Sequence, residues 1–257
     1  MSRVRVIPVL LLADGGMVKT MQFAKPRYLG DPINAVKIYN EKMVDELVLL
    51  DIEATRRGRI DFEWIEDIVS EAFMPVAYGG GIRTTAQCQE LFRRGVEKIV
   101  VNTAANDRPE LIEEAAQRFG SQSIVVSIDA RRNLWGKSRA YVNGGKQDTG
   151  TSPVEWSRKA CALGAGEILL TSIAHEGTFK GYDIDLLREV SAAVEVPVVA
   201  NGGAGSIDHF VHAVVDGGCS AVAAGSMFVF AGKGEGVLIT YPSERELDEQ
   251  LWKRVVQ

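Results

Sequence analysis

Cysteine is scarce in this chain of 257 residues, where only Cys88, Cys161 and Cys219 occur. They show neither C-x-x-C spacing nor an even count, so no disulfide framework or zinc site is expected, and buried reduced thiols are. Histidine is as sparse, with His175, His209 and His212. No metal-ligand spacing and no Ser-His-Asp order stands out, and no metal or cofactor is expected. Basic runs are missing too, and the net charge of −5 speaks against nucleic acid or an anionic membrane as partner. The opening MSRVRVIPVLLLADGG is too short an apolar run to span a bilayer and has no small-residue cleavage site. It reads as a first strand, and a cytoplasmic protein is expected. Low-complexity segments and linkers are likewise lacking.

What is present is glycine, 26 of them, together with a hydrophobic fraction of 46%, enough for a large core. Two stretches nearly repeat each other: PVAYGGGIRT at 75–84 and PVVANGGAGS at 197–206. Each is a short apolar run, then glycines, then Thr or Ser, the order of a strand, a backbone-exposing turn and a helix N-cap. Glycines let main-chain N–H groups approach an anion, and a helix N-terminus adds free donors. A lone copy is as readily a tight turn, but two copies in register point to paired phosphate sites.

Apolar runs near 4–10, 46–51, 75–79, 98–102, 123–129, 167–172, 197–201 and 220–225 alternate with amphipathic stretches near 32–44, 60–72, 85–94, 108–118, 153–164, 184–194, 207–217 and 243–254. This alternation predicts an α/β protein, a single (βα)8 TIM barrel. The repeat extends further, since DELVLLDI at 45–52 answers GEILLTSI at 166–173 and VVNTAA at 100–105 answers VAAGSM at 222–227. Residues 1–257 are therefore expected to form one domain of two half-barrels, about 1–120 and 121–257. Two anion sites follow across a pseudo-twofold mouth, with Gly81, Asn102 and Thr103 on one side and Gly177, Gly203, Gly225 and Ser226 on the other. Two segments lie outside the repeat: a long loop at 14–31 carrying Lys19, Lys25 and Arg27, and 131–150, read as a hairpin with an Asn-Gly turn at 143–144.

Reacting groups in such barrels sit at the C-terminal strand ends, here Leu11, Asp51, Gly80, Asn102, Asp129, Thr171, Asn201 and Gly225. Asp129 closes an apolar strand, so desolvation should raise its pKa toward that of a general acid or base. The alternative is a carboxylate capping the next turn, and Asp51 could equally be a structural partner. TSIAHEGTFKGYD places Thr171, His175, Glu176 and Gly177 near the mouth, and Asp129, Thr171 and Glu176 are the candidate catalytic set. His175 could shuttle protons or merely be exposed; His209 and His212 are expected at the surface. Arg5, Glu46, Lys98 and Glu167 each stand at a strand start. If all four point inward they form a ring of ion pairs at the opposite mouth; otherwise they are solvated rim residues.

Over nearly its whole length the sequence resembles the cyclase subunit of imidazole glycerol phosphate synthase, the barrel partner of a glutaminase in histidine biosynthesis. The likeness is carried by GDP at 30–32, DELVLLDI, GGGI, NTAA, FGSQS at 119–123, IDA at 128–130, GAGEILLTSI at 164–173 and NGGAGS. It implies that a glutaminase subunit docks at the N-terminal barrel face and that ammonia passes a gate made of Arg5, Glu46, Lys98 and Glu167 toward a phosphorylated small-molecule ligand. It also implies two catalytic aspartates, of which Asp129 matches the second. Leu11 stands where the first is expected, Ala174 replaces an acidic residue and Glu176 replaces Asp. These departures, with the ending VLITYP at 237–242, resemble paralogs linked to bacterial surface polysaccharide. There the pair supplies ammonia to a third, sugar-amidating enzyme. Three readings follow: an ammonia-dependent cyclase, an ammonia conduit without full cyclase activity, and the related two-aspartate isomerase, which the gate quartet disfavours.

Overall fold

The computed structural model describes residues 3–133, 135–232 and 236–255. Its centre is a closed barrel of eight parallel strands: β1 (Arg5–Ala13), β2 (Leu47–Asp51), β3 (Val76–Gly79), β4 (Lys98–Val101), β5 (Ile124–Arg132), β6 (Glu167–Ser172), β7 (Val198–Asn201) and β8 (Ala221–Ala224). The ring closes where β8 pairs with β1, Arg5 opposite Ala221, and where β5 pairs with β6, Asp129 opposite Thr171. Side chains alternate along each strand, so one parity fills the barrel and the other faces the helices. Ile7, Val9, Val48, Ala77, Val100, Val125, Leu169, Val199 and Ala221 form the inner apolar column. The opposite parity, with Val6, Leu10, Leu47, Leu49, Tyr78 and Ile168, joins the larger core under the helices.

Those helices are α1 (Pro32–Glu41), α2 (Phe62–Ser70), α3 (Thr85–Arg93), α4 (Glu110–Phe119), α5 (Pro153–Ala162), α6 (Ile184–Ser191) and α7 (Ile207–Val215). Their starts are written locally. Asp31, Asp61 and Asp183 accept main-chain N–H bonds as N-caps, and Thr84 with Gln87 and Ser152 with Glu155 make reciprocal capping boxes. The last described residues form a helical segment over Glu244–Val255 that includes a π turn at Asp248–Trp252. Tyr241 Oη donates to the Val6 carbonyl at 2.9 Å and Trp252 Nε1 to that of Val4 at 3.0 Å, fixing the start of β1 beside Arg5. Among the described residues no helix is long and apolar enough to cross a membrane.

Matching features recur in the two halves of the barrel. β1 and β5 are the two nine-residue strands, and both run three residues beyond their predicted ends, because an antiparallel hairpin extends each. After β1 the segment expected as a long loop is instead a hairpin, Gly16–Met21 against Ala24–Gly30, with Leu11 opposite Val18. Backbone pairing supplies what its polar composition hides. After β5, Ser138–Val142 and Gln147–Asp148 complete the predicted insertion; its second turn contains Asn143 and Gly144, at φ 54° and 64°. β4 and β8 are each followed by one short helix, Thr103–Asp107 and Ser226–Val229.

Candidate functional site

Long hairpins after β1 and β5, together with the β6 loop, wall a cavity of about 320 Å³ at the C-terminal mouth. That volume falls at the lower end of the range for small-molecule sites. The candidate catalytic residues Asp129, Thr171 and Glu176 lie on its wall, as do Gly81, Asn102 and Thr103 and also Gly177, Gly203, Gly225 and Ser226. The two glycine turns face it, each with two successive glycines at positive φ. Gly80 has φ 130° and its counterpart Gly202 has φ 87°, values that L side chains avoid. A Cβ at Gly203 would strike the Gly181 carbonyl, so this turn is closed against the β6 loop as well. Ser226 Oγ lines the cavity, is buried, and has no hydrogen-bond partner among the described residues. An anion with free acceptors would satisfy it.

Asp129, Thr171 and Asn201 sit level on adjacent strands. Asn201 Nδ2 donates to Thr171 Oγ1 at 3.0 Å. Asp129 receives only long bonds, from Asn102 Nδ2 at 3.3 Å and Ser127 Oγ at 3.5 Å. Burial therefore dominates; helped by the nearby Glu176 charge, it pushes the Asp129 carboxyl up to about 7. A carboxyl poised there can exchange a proton near neutrality. Ser127, two residues earlier on the same strand face, was not singled out in the sequence, though strand parity alone puts it beside Asp129.

Across the mouth the wall is apolar: Val9, Leu11 and Leu50 line it, Leu11 and Leu50 being register partners on β1 and β2. Asp51 does not share this role. It accepts from the Glu53 and Ala54 N–H groups at 3.0 and 2.9 Å and pairs with Arg57, so it caps the β2 loop, the structural one of its two expected roles. Glu176 is held from three sides, by the Lys19 ammonium, by Thr20 Oγ1 at 3.1 Å and by Phe23 N at 3.2 Å. Lys19, on the segment expected as a long loop after β1, is buried here, and its ammonium approaches Gly225 as well. Lys25 and Arg27 stay on the exposed outer strand of the hairpin.

The three histidines divide. His175 is half-buried with Nδ1 2.8 Å from Ser172 Oγ, and it is absent from the cavity wall. His212 is exposed and pairs with Asp216 at 2.7 Å. His209, expected at the surface, is half-buried instead, because its Nδ1 accepts from Gly205 N at 3.0 Å.

At the other end of the barrel Arg5, Glu46, Lys98 and Glu167 point inward and close into a ring. Arg5 pairs with both glutamates; Lys98 Nζ lies 2.9 Å from each Glu46 oxygen and 3.0 Å from Glu167. Both carboxylates are buried, and each is neutralised from two sides. Desolvation works against the Arg5 charge, and Glu167 and Glu46 outweigh it and raise its pKa.

Fold and cavity together define a (βα)8-barrel protein with a cavity of mixed polar and apolar lining at one mouth and a charged ring at the other. Residues 5–234 match the family described as "Histidine biosynthesis protein", and the chain belongs to that family. It is 49% identical to a Pseudomonas aeruginosa protein named "Putative imidazole glycerol phosphate synthase subunit hisF2", over 96% of this chain and 99% of that one. A Vibrio vulnificus protein named as subunit hisF3 of the same synthase, with the same qualifier, is 44% identical over 98% and 97%. One from Leptospira borgpetersenii, "Putative imidazole glycerol phosphate synthase subunit HisF", is 43% identical over 95% and 96%.

Proposed function

We propose that this chain is the barrel subunit of a glutamine amidotransferase complex, taking ammonia from a glutaminase docked at its N-terminal face and delivering it to a phosphorylated ligand at the C-terminal mouth. The observation that carries this reading is the placement of ring and cavity at opposite ends of one apolar column. Neutral ammonia crosses an apolar interior at far lower cost than ammonium, which desolvation penalises. Gly81, Asn102 and Thr103 would hold one phosphate and Gly177, Gly203, Gly225 and Ser226 the other, with Lys19 beside the second. Asp129 would exchange the proton. Thr171 would orient the ligand, and Glu176 would keep the Lys19 hairpin shut over it.

A second reading is favoured by Leu11. A leucine among Val9 and Leu50 neither gives nor takes a proton, so Asp129 has no carboxylate facing it from β1. On this reading the barrel conducts ammonia and docks a third enzyme that amidates a nucleotide-linked sugar. One assay separates the two: the bis-phosphorylated histidine-pathway intermediate with ammonium salt. Turnover to cyclised product supports the first reading and overturns a strict conduit. No turnover, with activity appearing in Leu11→Asp, supports the second. Soaked sulfate appearing at one cradle only would overturn the twin-phosphate reading.

A further inference from the structure

The two glycine cradles are copies in sequence, but they are held differently. In the first, Gln87 Oε1 accepts from Arg83 N at 2.7 Å and Thr84 N at 3.1 Å, while Thr84 Oγ1 accepts from Gln87 N at 3.2 Å. In the second, the Ser206 side chain makes no capping bond, and the residue equivalent to Gln87 is His209. Its Nδ1 takes the N–H of Gly205, which corresponds to Arg83, at 3.0 Å. The same ring lies against Gly181, whose added Cβ would be 3.3 Å from it. Gly181 N in turn donates to the Gly203 carbonyl at 2.8 Å. One imidazole thus pins Gly205 directly and braces the residue that holds Gly203. A non-titratable amide serves one cradle and a titratable ring serves the other.

We propose that His209 is a positioning residue that holds the second cradle in its anion-binding shape only while Nδ1 is an unprotonated acceptor, so that binding there, unlike at the first cradle, is linked to proton release. This rests on reading the cradles as anion sites. An imidazolium carries N–H at both nitrogens and cannot accept from Gly205, so protonation turns the bond into a clash of donors. Burial lowers the His209 pKa, assisted by His212, with Asp208 opposing, and the acceptor form prevails at neutral pH. Asp208 is bonded to Arg254 from the C-terminal segment. The loop after β6 presents the Gly181 backbone to the ring and carries His175, bound to Ser172, and exposed Lys180.

Linkage gives this arrangement a signature that simple charge attraction does not share. A dianion near an imidazole ordinarily raises its pKa. If binding requires the acceptor form, the anion lowers it, because each equilibrium shifts the other by the same factor. The test is an NMR titration of the His209 ring in the full chain, with and without saturating sulfate, an anion that does not titrate between pH 5 and 8. Amide shifts of Gly81 and Thr103 report the first cradle, and those of Gly203 and Gly225 the second. The expected result is a His209 midpoint lower by about one pH unit in sulfate, equivalent to roughly tenfold weaker binding at the second cradle at acid pH. Protonation of Asp129 acts on both cradles, so the ratio of their affinities is the quantity compared. His209→Gln, which copies the first cradle, should bind with a pH-independent ratio. His209→Ala should weaken the second cradle about tenfold, as expected for one lost hydrogen bond and its ordering. A midpoint that rises or stays put, or a His209→Gln protein that keeps the pH-dependent ratio, overturns the inference. Sulfate shifting no amide at either cradle overturns the anion-site reading, and the inference falls with it.

Discussion

Asp129 pits stability against reactivity. Its carboxyl titrates at about 7 in the folded chain, against the ordinary 3.8 once unfolded. With the folded value raised, the stability contribution is complete below pH 3.8 and is lost as pH rises through 7. Asp129→Asn, neutral at every pH, should therefore exceed the native chain in stability by about 2–4 kcal/mol at pH 8, with the gap closing toward pH 4. Urea unfolding at the two pH values measures it, and an equal gap at both would show that burial is not the cause. Leu11→Asp runs the other way. A carboxylate placed on the apolar Val9–Leu50 wall should cost about 2–4 kcal/mol at pH 8 and less at pH 5, where it can protonate. His209 belongs at this scale too, since nothing in its sequence neighbourhood marks it apart from His212. Only the Gly205 N–H donated to its Nδ1 does.

At the scale of elements, the hairpin Gly16–Gly30 is fastened to the β6 loop chiefly through Glu176, with Gln22 Nε2 donating to the Ala174 carbonyl at 2.9 Å. Glu176 takes the Lys19 ammonium, the Thr20 hydroxyl and the Phe23 amide, and its own carbonyl accepts from Gln22 N at 3.0 Å. Glu176→Gln leaves Lys19 buried without its counter-charge, and breaking a buried pair from one side costs about 3–5 kcal/mol. The effect should be local. Hydrogen exchange at Gln22 and Phe23 is expected to quicken by 10-fold or more, roughly, while β3 and β4 keep their protection. Lys19→Met with Glu176→Leu, an apolar replacement of the pair, should recover most of the thermal stability. Failure of that recovery would mean the hairpin is held elsewhere.

On the whole-molecule scale, ring and cavity face opposite solvents, and the proposed traffic between them makes a prediction that neither end makes alone. Lys98→Ala removes one of two cations from a pair of buried glutamates. In complex with a glutaminase it should depress glutamine-dependent activity about tenfold or more while altering ammonia-dependent activity less than about twofold, in keeping with an effect on delivery and not on chemistry. Equal loss in both assays would count against a gate. Much of this was legible beforehand. Eight strands and their helices follow from hydrophobic period and capping residues, and the paired glycine turns follow from repeated glycines. Asp129 stands out because an apolar strand ends in a carboxylate. These are local properties, written in neighbouring residues, and the chain's own sequence determines them. The ring required closure, since Arg5, Lys98 and Glu167 come from three separate strands and Glu46 from the residue just before β2, and they meet only because the barrel closes. The hairpin required partners as well: its residues read as polar loop until β1 and Glu176 give its amides and Lys19 somewhere to bond. Asp51 and Asp129 look alike in sequence, yet strand parity and neighbouring N–H groups make one a cap and leave the other nearly bare. Tertiary structure decided these points because each depends on which distant group satisfies a buried charge or a free donor.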